Sequence, residues 1–181
     1  MVRISFAILA FFVALSAPAA DPRIENLSAV AMGGKVSVHF DLTGAFETGE
    51  MIQALQSGLP TSFKYEIEIY RDRPNWFDES FGRTRIEVIC TLNSVTREYL
   101  LNYRRDRKLV RSETFSDLPT LQGRMTTIDE RDLYDIGNRR PYKFRVRVRA
   151  DLMRSWRLYL IPWEVTTRWR EARVQCPECK P

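Results

Sequence analysis

An antiparallel, mainly β domain is what this sequence predicts: a β-sandwich-like body of seven or eight strands with two or three short helices. Three observations point there. Apolar and polar residues alternate with period two through most of the chain, the signature of half-buried strands. Gly33-Gly34 joins two such runs through the two-residue link of a tight hairpin. Helix-like spacing is confined to two stretches, Glu47–Ser57 and Asp117–Gly137. One-sided alternation needs a second layer over its apolar faces, so a sandwich is expected in preference to a closed barrel.

The elements follow in order. Ile24–Met32 and Lys35–Leu42 flank the Gly-Gly turn, with Val36, Val38, Phe40 and Leu42 on one face and Lys35, Ser37, His39 and Asp41 on the other. Glu47–Ser57 reads as a helix with Met51, Ile52 and Leu55 on one side. Gly58 is placed to cap it, and Pro60 prevents its continuation. Ser62–Arg71 is the cleanest strand: Phe63, Tyr65, Ile67 and Ile69 oppose Lys64, Glu66 and Glu68. After a turn around Arg73-Pro74-Asn75-Trp76, Thr84–Leu92 points Ile86, Val88, Cys90 and Leu92 inward. Asn93-Ser94 then returns the chain into Arg97–Arg104, and Lys108–Phe115 completes a meander. Within Asp117–Gly137, Pro119 suits a first helical turn. Thr127-Ile128-Asp129-Glu130 fits a capping box ahead of Leu133, Tyr134 and Ile136, so helix is expected there too. Tyr142–Leu152 restores strict alternation, and the aromatic-rich Trp156–Trp169 is expected to be extended.

Met1–Ala20 carries a basic residue at Arg3, an apolar run Ile4–Leu15 and a small-x-small site Ala17-Pro18-Ala19, the pattern of a signal peptide. That run is too short for a membrane span of roughly twenty residues. No later segment is apolar enough to anchor the chain. The expectation is an exported soluble domain over residues 21–173, in the periplasm or cell envelope of a bacterium, with a short tail at 174–181. At 44% hydrophobic and 12% aromatic residues, disorder is excluded. Loss of Arg3 takes Lys+Arg from 28 to 27 against 23 Asp+Glu, lowering the net charge from +5 to +4. Nucleic acid is not an expected partner at that modest charge, and nothing in the sequence speaks to oligomeric state. Lysines number only five (Lys35, Lys64, Lys108, Lys143 and Lys180). The Arg excess suits an anionic partner, and a codon bias is its plainer explanation.

Catalytic patterns are missing. His39 is the one histidine, on the polar face of a strand, and no nucleophile elbow, zinc-protease helix or phosphate loop occurs. Asp72, Asp78 and Glu79 read as solvated turn carboxylates. Cys90 has apolar strand neighbours and reads as a buried, unreactive thiol. Cys176-Pro177-Glu178-Cys179 has a spacing that suits a local disulfide, half a zinc site or a redox pair. A passive tail is the first reading, with zinc as the one cofactor candidate. Arg145, Arg147 and Arg149 share one strand face about 7 Å apart and could meet phosphates or acidic sugars. The plainer reading is a cross-strand ladder, for which Glu66 and Glu68 offer partners. The Trp156-to-Trp163 run mixes aromatics with Arg157 as membrane-interface segments do, and core packing accounts for the same residues.

Ala54-Leu55-Gln56-Ser57-Gly58-Leu59-Pro60, then Phe63-x-Tyr65-x-Ile67-x-Ile69-Tyr70-Arg71, Trp76-Phe77-Asp78 and Thr96-Arg97-Glu98-Tyr99 through Tyr103 carry a family likeness. Over roughly Arg23–Arg170 the chain resembles an uncharacterised family of exported bacterial proteins, domain of unknown function 4390. The motif residues are Leu55, Gly58, Pro60, Arg71, Trp76 and Tyr99. The resemblance implies an envelope location and a β-rich fold, and brings no catalytic residues; the Cys176/Cys179 tail is not part of it. The expected role is non-catalytic, binding an envelope protein or helping assemble an envelope component. The alternatives are an anionic lipid or polysaccharide held by the Arg row, or metal or thiol chemistry at the C-terminal cysteines.

Overall fold

A computed structural model describes residues 21–47, 49–73, 78–157 and 161–178, without the side chains of 154–157 and 161–164. Residues 1–20, Trp76 and Cys179 lie outside it, as do the side chains of the aromatic run from Trp156 to Trp163.

Ten strands and two α-helices follow one another: β1 (Arg23–Met32), β2 (Lys35–Thr43), α1 (Glu50–Gln56), β3 (Thr61–Arg71), β4 (Glu79–Asn93), β5 (Glu98–Arg105), β6 (Lys108–Phe115), α2 (Leu118–Thr126), β7 (Thr127–Asp135), β8 (Phe144–Arg157), β9 (Ile161–Thr166) and β10 (Arg170–Gln175). The domain is mainly β, as the alternation predicts. It is not the antiparallel sandwich of that expectation. All the strands belong to one sheet in the order β6-β5-β4-β3-β8-β10-β1-β2-β7, with β9 added on β8. The sheet is mixed, because β1 and β10 run parallel, Ala29 opposite Val174. The apolar faces find their cover because the sheet curls upon itself. Phe40 of β2 meets Tyr65 of β3 edge to face at 5.3 Å, although β2 and β3 stand far apart along the sheet.

Three tyrosines fasten the curl. The Tyr65 hydroxyl donates to the Met125 carbonyl of α2 at 2.7 Å. That of Tyr134 on β7 donates to the Ile67 carbonyl of β3 at 2.7 Å. That of Tyr103 on β5 donates to the Glu130 carboxylate of β7 at 2.6 Å. Gly82 on β4 makes room for the Tyr134 ring, since a Cβ there would lie 3.0 Å from two ring carbons.

The first hairpin turns through Gly33 and Gly34, both at positive φ as a two-residue primed turn requires. Helix α1 ends where expected, with Gly58 at φ 77 and its N–H bonded to the Leu55 carbonyl. Asp117 caps α2 by accepting from the Thr120 N–H at 2.8 Å, and Pro119 sits in the first turn. Helix stops at Thr126, however, and the expected capping box at Thr127–Glu130 opens strand β7 instead. A charged residue at an inward position disguises the alternation: Ile128, Glu130 and Tyr134 all face the core. A register irregularity against Val36–Val38, with Asp132 at φ 53, then breaks the period. The extended run expected over Trp156–Trp169 is likewise divided, β8 ending at Arg157 and β9 starting at Ile161. Strand β10 includes Val174 and Gln175, which the sequence reading assigns to the tail, and Val174 is buried.

Candidate functional site: the charged outer face

Strand β3 runs between β4 and β8 with antiparallel pairing along its whole length. Its inward residues fill the core, so Lys64, Glu66 and Glu68 must point outward. Register then sets three rows across β8, β3 and β4: Arg147-Glu68-Arg83, Arg149-Glu66-Arg85 and Asp151-Lys64-Glu87. Neighbouring strands lie about 4.8 Å apart, close enough for each central side chain to meet both flanks.

The contacts follow that grid. Arg147 holds Glu68 through Nε at 2.7 Å and Nη2 at 2.6 Å. Arg149 holds Glu66 in the same way at 2.9 and 2.6 Å. Arg83 approaches from the other side, pairing with Glu68 and, at 3.4 Å, with Glu66. Arg85 stands 3.7 Å from Glu66. Two carboxylates, only 7% and 5% exposed, thus lie beneath four guanidinium groups. Burial pushes the Glu68 carboxyl up, yet the hydrogen bonds and charges of Arg147 and Arg83 more than offset this and hold it below the usual range. The acids are sunk and the cations project, with the side chains of Arg83 and Arg85 55% and 64% exposed.

Trp169 lies over this cluster, its ring 4.7 Å from the guanidinium carbons of both Arg147 and Arg149, with the Tyr70 ring 5.6 Å from Arg147. Thr167 fixes the approach: its N–H donates to the Ala150 carbonyl and its hydroxyl accepts from the Ala150 N–H. Beside the rows a depression of about 390 Å³ is lined by Lys64, Arg85, Glu87, Arg107, Arg149 and Asp151, among others.

The row of three arginines therefore divides. Arg147 and Arg149 belong to the ladder with Glu68 and Glu66, whereas Arg145 pairs with Asp72 at 2.9 Å and Glu171 at 3.9 Å. Arg83, Arg85, Arg107 and Trp169 were not singled out from sequence. The Arg83-x-Arg85 spacing ahead of Ile86 does carry the period that marked Arg147 and Arg149. Of the motif residues, Leu55 is a buried residue of α1, Pro60 is exposed, Arg71 closes β3 within 3.9 Å of Glu79, and Tyr99 is buried in β5. Asp72 and Glu79 are engaged with different arginines, Glu79 with Arg71 and Arg73. Cys90 is a free thiol with no exposure, and burial pushes its pKa up to about 12. Cys176 is disulfide-bonded. Among the described residues no three His, Cys, Asp or Glu side chains are gathered as a metal ion requires. No helix among them is long and apolar enough to cross a membrane.

Fold and outer face together define a mainly β domain built on one curled mixed sheet. The chain belongs to the family described as domain of unknown function (DUF4390), whose model matches residues 19–170. No curated protein and no solved structure matches the chain.

Proposed function

We propose that this protein is a non-catalytic binding module, exported to the bacterial envelope, that engages an anionic envelope component through the outer face of β4, β3 and β8. One observation carries the reading: four arginines stand over two buried carboxylates, so the face offers more positive charge than its own acids absorb. Guanidinium groups locked on carboxylates and stacked on Trp169 lose little rotamer freedom when an anion arrives, which favours binding. The disulfide at Cys176 fits an oxidising destination and thereby supports export.

The test uses the exposed cations. Replacing Arg145, Arg147 and Arg149 together would strip Glu66 and Glu68 of their best partners and threaten the fold. Arg83→Gln with Arg85→Gln leaves the Arg147 and Arg149 pairs intact. On a sulfated-polysaccharide column the wild type is expected to be retained at low salt and released as salt screens the charges. The double variant, once its melting profile shows that it is folded, should elute earlier than a variant losing two exposed cations from β2 and β7, Lys35→Gln with Arg131→Gln. Equal elution of the two variants would overturn the reading.

A further inference from the structure

The cations lining the 390 Å³ depression are not equally occupied. Arg149 is spent, gripping Glu66 through two nitrogens at 2.9 and 2.6 Å. Arg85 is 3.7 Å from Glu66 and Lys64 is 4.0 Å from Glu87, both too far for a hydrogen bond. Arg107 has no carboxylate partner among the described residues.

The placement of Arg107 is costly. It follows Asp106 in the two-residue turn between β5 and β6, and the pair adopts φ 47 and φ 69. Such a turn is usually made with glycine in the second position, because a Cβ there is strained. The turn is also tied down: Asp106 N–H donates to the Arg85 carbonyl at 2.8 Å, and Arg85 N–H donates to the Asp106 carboxylate at 2.9 Å. Those bonds hold Arg107 beside Arg85 over the outer face. A glycine would satisfy the turn equally well, so the turn geometry does not explain the arginine.

We infer that Lys64, Arg85 and Arg107 form a binding site for a phosphodiester group, an assignment that rests on the anion-binding reading above. Three donors arriving from β3, β4 and a turn are better met by the tetrahedral oxygens of a phosphate than by the flat pair of a carboxylate. Glu87 and Asp151 line the same depression. With Arg149 and Glu66 cancelling each other, three cations face two carboxylates. The remaining single positive charge matches a singly charged diester better than a doubly charged monoester.

Arg107→Gly tests this directly, since it removes the cation while suiting the backbone. Backbone amides of residues 84–87 and 105–108 would be followed by NMR during titration with glycerophosphoglycerol, glycerol 3-phosphate or galacturonate. The wild type should saturate with the diester in the millimolar range and bind it more tightly than the other two. Arg107→Gly should lose about ten-fold in affinity, the worth of one charge-assisted contact, while melting no lower than the wild type. Vesicles containing phosphatidylglycerol, compared with the soluble diester, identify whether a lipid headgroup or a free diester is the source. No saturation by the diester, equal binding of galacturonate, or unchanged affinity in Arg107→Gly would each overturn the site. If the polysaccharide column still discriminates the Arg83/Arg85 variant while the diester fails, this inference falls and the broader reading stands.

Discussion

Replacing Tyr103 by Phe removes one oxygen from the seam where β5 meets β7. The Tyr103 hydroxyl donates at 2.6 Å to Glu130, a carboxylate only 4% exposed whose other oxygen lies 2.7 Å from Arg105. A hydrogen bond to a buried charged group contributes about 1.5–3 kcal/mol, against about 1 kcal/mol for a neutral acceptor. Arg105 keeps Glu130 partnered in the variant, so a loss of about 2 kcal/mol is expected, or about 4–8 °C in Tm for a domain of this size. The ring stays in place, including its contact with the Arg111 guanidinium at 4.1 Å. Tyr65→Phe is the internal control, because its hydroxyl donates to a neutral carbonyl. Urea unfolding should show the Tyr103 variant losing roughly twice as much as the Tyr65 variant. In a Glu130→Met background the sign should change: the hydroxyl is then buried without its acceptor, and Phe becomes neutral or stabilising. A Tyr103→Phe loss no larger than that of Tyr65→Phe, or an undiminished loss in the Met background, would refute the assignment of this bond as a fastening of the curl.

Gly82→Ala should cost about 1–3 kcal/mol by pushing the Tyr134 ring away from β4, which chemical denaturation would measure; a neutral result would mean that the ring shifts freely. Glu68 and Glu113 are both held below the ordinary carboxylate range, Glu113 chiefly by its hydrogen bonds to Arg124. Their contribution to stability is therefore complete above about pH 4.3 and is lost as pH falls through their lowered values. Melting temperature should drop with acidification in that window, and Glu68→Gln should flatten the slope. Cys90, buried with its pKa at about 12, should resist a soluble thiol reagent at about pH 8 in the native protein and react only on unfolding. Fast modification without loss of structure would contradict the burial.

Strict alternation made the faces of β2, β3 and β8 legible, because each packs one side on the core and register leaves no other choice. The same logic offers Glu66 and Glu68 as ladder partners for the row Arg145, Arg147 and Arg149; the register of β3 on β8, which selects Arg147 and Arg149, comes from the structure. Strand β7 escaped for a local reason: Glu130 faces inward, carried there by Tyr103 and Arg105, which no window around Glu130 contains. Strand β10 escaped for a topological one, as its parallel neighbour lies almost the full length of the chain away. Arg107 and Trp169 were illegible because connections set their positions: a turn bonded to Arg85 and an irregular segment bonded through Thr167 to Ala150.

The position of β10 has a kinetic consequence. Among the described strands it alone joins β8 to β1, so the two stretches of sheet on either side have no backbone pairing in common without it. A growing chain can close the β1–β2 hairpin and the β3–β6 meander early, because those contacts are local. Backbone pairing between them waits for residues 170–175, which bridge β8 and β1. Joining the two stretches is thereby a long-range step, slower than the formation of either local unit.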